Sequence, residues 1–107
     1  LSDKVKINVR SFTTVPGARH RTDGDGSADE FYEEYVENVL KEAVAQNKDI
    51  ILDFDGTWSY PSSFTSQLAM LIKTNYDPSY IRQHLDIIAN DEPGMIKRFW
   101  YEYEKDY

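Results

Sequence analysis

From Lys4 to Arg10 apolar and polar residues alternate, Val5, Ile7 and Val9 against Lys4, Lys6, Asn8 and Arg10. That alternation predicts a strand with one wet face, placed at the edge or outside of a sheet. The next stretch, Ser11 to Gly26, has no periodicity and collects Thr13, Thr14, Pro16, Gly17, Asp23, Gly24, Asp25 and Gly26. These are turn residues, leaving room for at most a short strand near Thr13 to Val15. A loop of that length inside a compact domain is commonly functional or mobile. Periodicity returns at Ser27-Ala-Asp-Glu30, a capping box in which hydroxyl and carboxylate each take an orphan backbone N–H. Behind it Phe31, Tyr35, Val39, Leu40, Ala43 and Val44 recur at helical spacing, with Glu30, Glu33, Glu34, Glu37, Lys41 and Glu42 on the other face. Asn47 is the expected stop.

Ile50 to Phe54 is a nearly continuous apolar run broken only by Asp53, the pattern of a central parallel strand covered on both faces. It ends at Asp55-Gly56. Ser62 and Ser63 are placed to cap a second helix that buries Phe64, Leu68, Leu71 and Ile72, and residues 75–78 break it. A short connecting helix through Tyr80 to His84 leads to a buried strand, Leu85 to Ala89. Asn90-Asp-Glu-Pro93 then opens a last helix with Ile96, Phe99, Trp100 and Tyr103 along one stripe. Strands alternating with helices imply an α/β fold with right-handed crossovers and a small mixed sheet with a parallel core. With 107 residues, one domain over 1–107 is expected.

Composition narrows the function. The net charge of −7 repels a phosphate backbone, so nucleic acid is a poor partner. Basic residues gather early, at Lys4, Lys6, Arg10, Arg19 and Arg21, which leaves a local anion site at Arg19 and Arg21, on the loop from Val15 to Asp25, as a candidate. Cysteine is absent, removing disulfides, thiol chemistry and the usual structural zinc sites. No apolar run approaches the roughly 20 residues of a membrane span, and Leu1-Ser-Asp-Lys4 has no hydrophobic signal core. A chain with no membrane association and a cytoplasmic location is expected; a Leu start implies a trimmed native N-terminus.

The most conspicuous motif, Asp53-Phe-Asp-Gly-Thr57 at a strand end, resembles the first motif of the haloacid-dehalogenase phosphatases. That resemblance implies Asp53 as nucleophile and Asp55 as acid/base beside Mg²⁺. Its further elements find only loose matches, in Thr74, Lys73 or Lys97, and Asp91 with Glu92. A strand, a loop and a helix precede the motif where that family begins its core, and about fifty residues follow. The simpler reading is a strand-end Asp that takes loop N–H groups before an Asp-Gly turn. Asp23-Gly-Asp-Gly-Ser27 fails as a calcium loop, because the register puts Ala28 where Gly is needed. His20 and His84 lie in no metal-ligand spacing. No metal, cofactor or catalytic residue is therefore assigned.

Ile51-Leu-Asp-Phe-Asp-Gly56, followed by Tyr60-Pro-Ser-Ser-Phe64 and an apolar helix, resembles the STAS-like domains related to anti-sigma factor antagonists. The loop and capping box from Gly24 to Phe31 support it, and the order of elements agrees from Lys4 to Ala89. The resemblance implies a non-catalytic protein-interaction module in bacterial-type signalling or regulation. Its protein partner would be an ATPase or kinase of the histidine-kinase-like fold, with oligomeric state left open. In the antagonists the helix start reads Asp-Ser-Ser-Gly and its first Ser is phosphorylated. By position that is Ser62, with Pro61 standing for the Asp and Phe64 for the Gly. For Ser62 and Ser63 the plain alternative is helix capping.

Overall fold

A computed structural model describes residues 4–105; the chain start read above at Leu1 lies outside the described residues. Three strands, β1 (Lys4–Asn8), β2 (Asp49–Asp53) and β3 (Leu85–Ile88), pair in parallel in the order β1-β2-β3. β1 is thus an edge strand and β2 the centre, and both pairings among the described residues form the parallel core. The register aligns Val5 with Ile50 and Leu85, and Ile7 with Leu52 and Ile87. One face is therefore apolar. The other carries Lys6, Ile51 and Asp86 in one row and Asn8, Asp53 and Ile88 in the next.

This one-sidedness follows from topology. Strands added in sequence order by right-handed crossovers place both crossovers on the same face. Burial agrees: Ile7, Ile50, Leu52, Leu85 and Ile87 are buried, whereas Lys4, Lys6 and Asp86 are exposed and Ile51 and Ile88 half-buried. The run at β2 is apolar enough for cover on both faces, yet only one face lies under the crossovers.

β1 ends two residues before the alternation does. Val9 begins a single helical turn, α1 (Val9–Phe12), and remains fully buried. Helices α2 (Ala28–Phe31) and α3 (Glu37–Ala45) run on through a π-helical segment, Tyr32–Val36. Ser27 Oγ accepts the Glu30 N–H at 3.2 Å, which is the hydroxyl half of the expected capping box; the return bond to the Glu30 carboxylate is not made. Within the π segment the Glu37 N–H reaches back five residues to the Tyr32 carbonyl. The extra residue turns the buried face: Val36 is buried where an unbroken helical period places Tyr35, which is 37% exposed, and Val39 is half-buried, while Leu40 and Ala43 are buried as the period predicts. Asn47 stops the helix in the left-handed region, φ 54°. Its N–H donates to the Val44 carbonyl at 3.3 Å and the Lys48 N–H to the Ala43 carbonyl at 2.9 Å, the two bonds of a Schellman ending.

α4 (Ser62–Asn75) packs against α2 and against α6 (Gly94–Glu104), and α5 (Pro78–His84) leads into β3. Phe99 and Tyr103 of the last stripe are buried and Ile96 and Trp100 half-buried. The α4–α6 contact also contains Glu102, 4% exposed. Its carboxylate accepts the Ser66 hydroxyl at 3.2 Å and pairs with Arg98 at 3.2 Å and Lys105 at 3.3 Å. Among the described residues no helix is long and apolar enough to cross a membrane.

Two expectations follow. Phe54, 1% exposed, continues β2 by donating its N–H to the Ile88 carbonyl at 2.8 Å. Phe54→Ala should cost about 3 to 5 kcal/mol in urea unfolding; a midpoint near wild type would take Phe54 out of the core. Burial alone would raise the Glu102 carboxyl, but Lys105, Ser66 and Arg98 outweigh it and hold the group below its ordinary 4.5. A depressed folded value means that the stabilisation is present above about pH 4.5 and is lost as pH falls through the folded value. Stability should therefore fall more steeply below pH 4.5 in wild type than in Glu102→Gln, and parallel pH courses would contradict this.

Candidate functional site

The loops leaving the C-terminal ends of the strands build the site, and Asp55 joins two of them. Its carboxylate accepts the Asp91 N–H at 3.1 Å and the Asn90 amide at 3.0 Å, both from the β3–α6 loop. Asp91 returns the contact by accepting the Gly56 N–H at 3.3 Å. Gly56 has φ 89°, and a Cβ there would stand 2.8 Å from Arg10 Cδ. The positive φ favours glycine here, and a larger residue would also have to displace the Arg10 side chain. Arg10 in turn donates to the Asp55 carbonyl at 3.1 Å. Asp53 is buried; one oxygen accepts the Asp55 N–H at 2.9 Å and the other pairs with Lys6 Nζ at 3.2 Å.

Both carboxylates of the phosphatase-like motif thus take donors from within the fold, which is the strand-end Asp and Asp-Gly turn arrangement. Among the described residues no cluster of three or more His, Cys, Asp or Glu is placed to hold a metal ion.

Beyond Gly56 the loop is pinned again. Thr57, buried, donates its hydroxyl to the Phe54 carbonyl at 2.9 Å, and the Trp58 N–H donates to the Thr14 carbonyl at 2.7 Å. The backbone is held on both sides while the Trp58 side chain is 83% exposed. Val15, next to Thr14, is 55% exposed. Beside Trp58 opens a cavity of about 510 Å³ whose walls include Tyr60, Ser62, Thr65, Glu92 and Arg98.

Ser62 and Ser63 do not cap α4, contrary to the expectation from sequence. Pro61 holds the N-cap position with extended backbone, and no side-chain cap is made. The Pro61 carbonyl accepts the Thr65 N–H at 3.2 Å and its hydroxyl at 3.3 Å. Ser62 is therefore the first helical residue, exposed on the cavity wall, and Ser63 the second, half-buried.

Arg19 and Arg21 lie elsewhere. Arg21 donates to Glu33 at 3.1 Å and Glu34 at 3.2 Å, contacts that hold its proton more tightly still. The early cations thus spend part of their charge on the acidic helix. The Arg19 carbonyl accepts the Asp29 N–H at 3.0 Å, and the Gly17 N–H donates to Gly26 at 2.8 Å. His20 Nδ1 lies 2.7 Å from Asp29, whose other oxygen accepts the Gln67 amide at 2.8 Å. The long loop is tied to α2 and α4 by these bonds.

Sequence reasoning passes over Trp58 and Arg98, and it names Glu92 only as a loose match to the phosphatase pattern. The signal available was Trp58 itself, a large aromatic in a Thr-Trp-Ser-Tyr-Pro loop rather than in a periodic segment.

A family model described as a STAS-like domain of unknown function (DUF4325) matches residues 27–95. No curated protein and no solved structure matches the chain. The matched segment runs from the Ser27 cap through β2, the pinned loop, α4 and β3 into the first turn of α6, more than half of the chain, and the protein belongs to the STAS-like domain family.

Proposed function

We propose that this domain is a non-catalytic protein-interaction module of a signalling or regulatory system, which engages its partner through the β2–α4 loop. The observation that carries the reading is Trp58, 83% exposed on a backbone fixed at Gly56, Thr57 and Trp58. Tryptophan in such a setting is the residue type that most often anchors protein interfaces, because its large area is buried with little loss of conformational freedom. Membership of the STAS-like family supports an interaction role and suggests an ATPase of the histidine-kinase-like fold as partner, in the cytoplasm. Ser62 is the regulatory residue of the proposal. Its hydroxyl is spared from capping and reaches the same cavity as Trp58. A phosphate there would face the unpaired N–H groups of a 14-residue helix, so the fold tolerates it while the surface changes charge. The engagement of Asp53 and Asp55 inside the fold supports the non-catalytic part.

Calorimetric titration of a partner isolated from the native host against three versions of the domain tests this. Trp58→Ala should weaken binding by about 30-fold or more, an interface-anchor effect of about 2 kcal/mol. Ser62→Asp should shift affinity about tenfold, and both variants should melt near wild type. An unchanged affinity for Trp58→Ala would contradict the reading, as would Mg²⁺-dependent hydrolysis of an aryl phosphate that Asp53→Asn abolishes.

A further inference from the structure

Three aromatic rings of α6 each have a cation beside them: the exposed Tyr101, the half-buried Trp100 and the buried Tyr103. Arg82 lies 4.3 Å from the ring centre of Trp100, Lys105 lies 4.9 Å from that of Tyr101, and Lys73 lies 5.9 Å from that of Tyr103. Trp58 is more exposed than Tyr101, 83% against 63%, and among the described residues no cation lies over its ring. It borders a cavity of about 510 Å³ together with Tyr60, Met95 and the Glu92 carboxylate. The nearby charge is mainly negative. Burial pushes the Tyr60 phenol up against an opposing contribution from Thr57, and the carboxylates of Asp91, Asp55 and Glu92 add to the rise. The cation in the wall, Arg98, is paired through Nε with the buried Glu102 at 3.2 Å. The whole chain carries −7.

From this we infer that the cavity beside Trp58 takes an arginine side chain of the partner protein, its guanidinium stacked on the Trp58 ring and hydrogen-bonded to Glu92. An arginine fits better than a lysine because its planar, weakly hydrated fork stacks on indole and offers paired donors to one carboxylate. The aliphatic stem lies against Met95. This deepens the proposed function and rests on it, since it names the chemistry by which the partner is held. Ser62 shares the cavity, so a phosphate on its hydroxyl adds negative charge beside the guanidinium and tightens the complex.

The probe is a blocked tripeptide, acetyl-Gly-Arg-Gly-amide, titrated into the ¹⁵N-labelled domain. The control peptide carries citrulline, which keeps the shape and loses the charge. Saturable shifts are expected at the Trp58 indole N–H and at the Ser62, Glu92 and Gly94 amides with arginine and not with citrulline. Glu92→Gln should weaken them about threefold or more, and Trp58→Ala should abolish them with the remaining spectrum folded. Equal shifts from the citrulline peptide, or none at these positions up to about 30 mM arginine peptide, overturn the inference. If that happens while Trp58→Ala still weakens the isolated partner, the arginine pocket falls and the interaction module stands. If Trp58→Ala leaves the partner's affinity unchanged, the module reading falls and the inference goes with it.

Discussion

The carboxylate of Asp55 is the constraint on which the candidate surface depends. A parallel sheet with strands in sequence order sends every C-terminal loop to one end, where nothing in the topology fixes the loops relative to one another. Asp55 supplies that fix by accepting two donors from the β3–α6 loop, and Asp91 answers through the Gly56 N–H. Hydrogen bonds to a charged acceptor are the stronger kind, about 1.5 to 3 kcal/mol each. The Gly56 backbone and the Arg10 contact then set the direction of the chain as it leaves the turn. Trp58 owes its fixed position to this sequence of constraints.

The same sheet explains where charge resides. With both crossovers on one face, the opposite face keeps Lys4, Lys6 and Asp86 in water and pairs Lys6 with Asp53. Asp53 lies on that open face and is buried all the same, held by the Asp55 N–H and by Lys6. Strand-end aspartates serve catalysis and loop closure with the same local pattern, which is why the sequence offers both readings of Asp53. On α6 the exposed Tyr101 and the half-buried Trp100 each have a cation over the ring, whereas among the described residues none lies over Trp58.

Much of the fold was legible because it is written in local chemistry. The strands at Val5, Ile50 and Leu85, the Ser27 cap and the left-handed stop at Asn47 each follow from side-chain period or backbone preference. What was not legible depended on context. Sequence period assumes 3.6 residues per turn, so Tyr35 was assigned to the core that Val36 occupies after the π segment. Ser62 and Ser63 have the composition of caps, but Pro61 takes the N-cap position first. At the site, Asp53, Asp55 and Ser62 stand at or beside the β2–α4 loop, whose hold on Trp58 comes through hydrogen bonds to Thr14 and Asp91 from distant segments. Arg21 was read as an available cation because its acids, Glu33 and Glu34, sit a loop and a helix turn away.

The central claim is that Asp55 rigidifies the loop that presents Trp58. Amide hydrogen exchange compared between wild type and Asp55→Ala tests it most directly, because exchange reports local opening residue by residue. The account predicts exchange faster by about tenfold or more at Gly56, Trp58 and Asp91, equivalent to about 1.4 kcal/mol of local stability, with Ile50, Ile51 and Leu52 in β2 still protected. Unchanged exchange at Gly56 and Trp58 in the variant would contradict it.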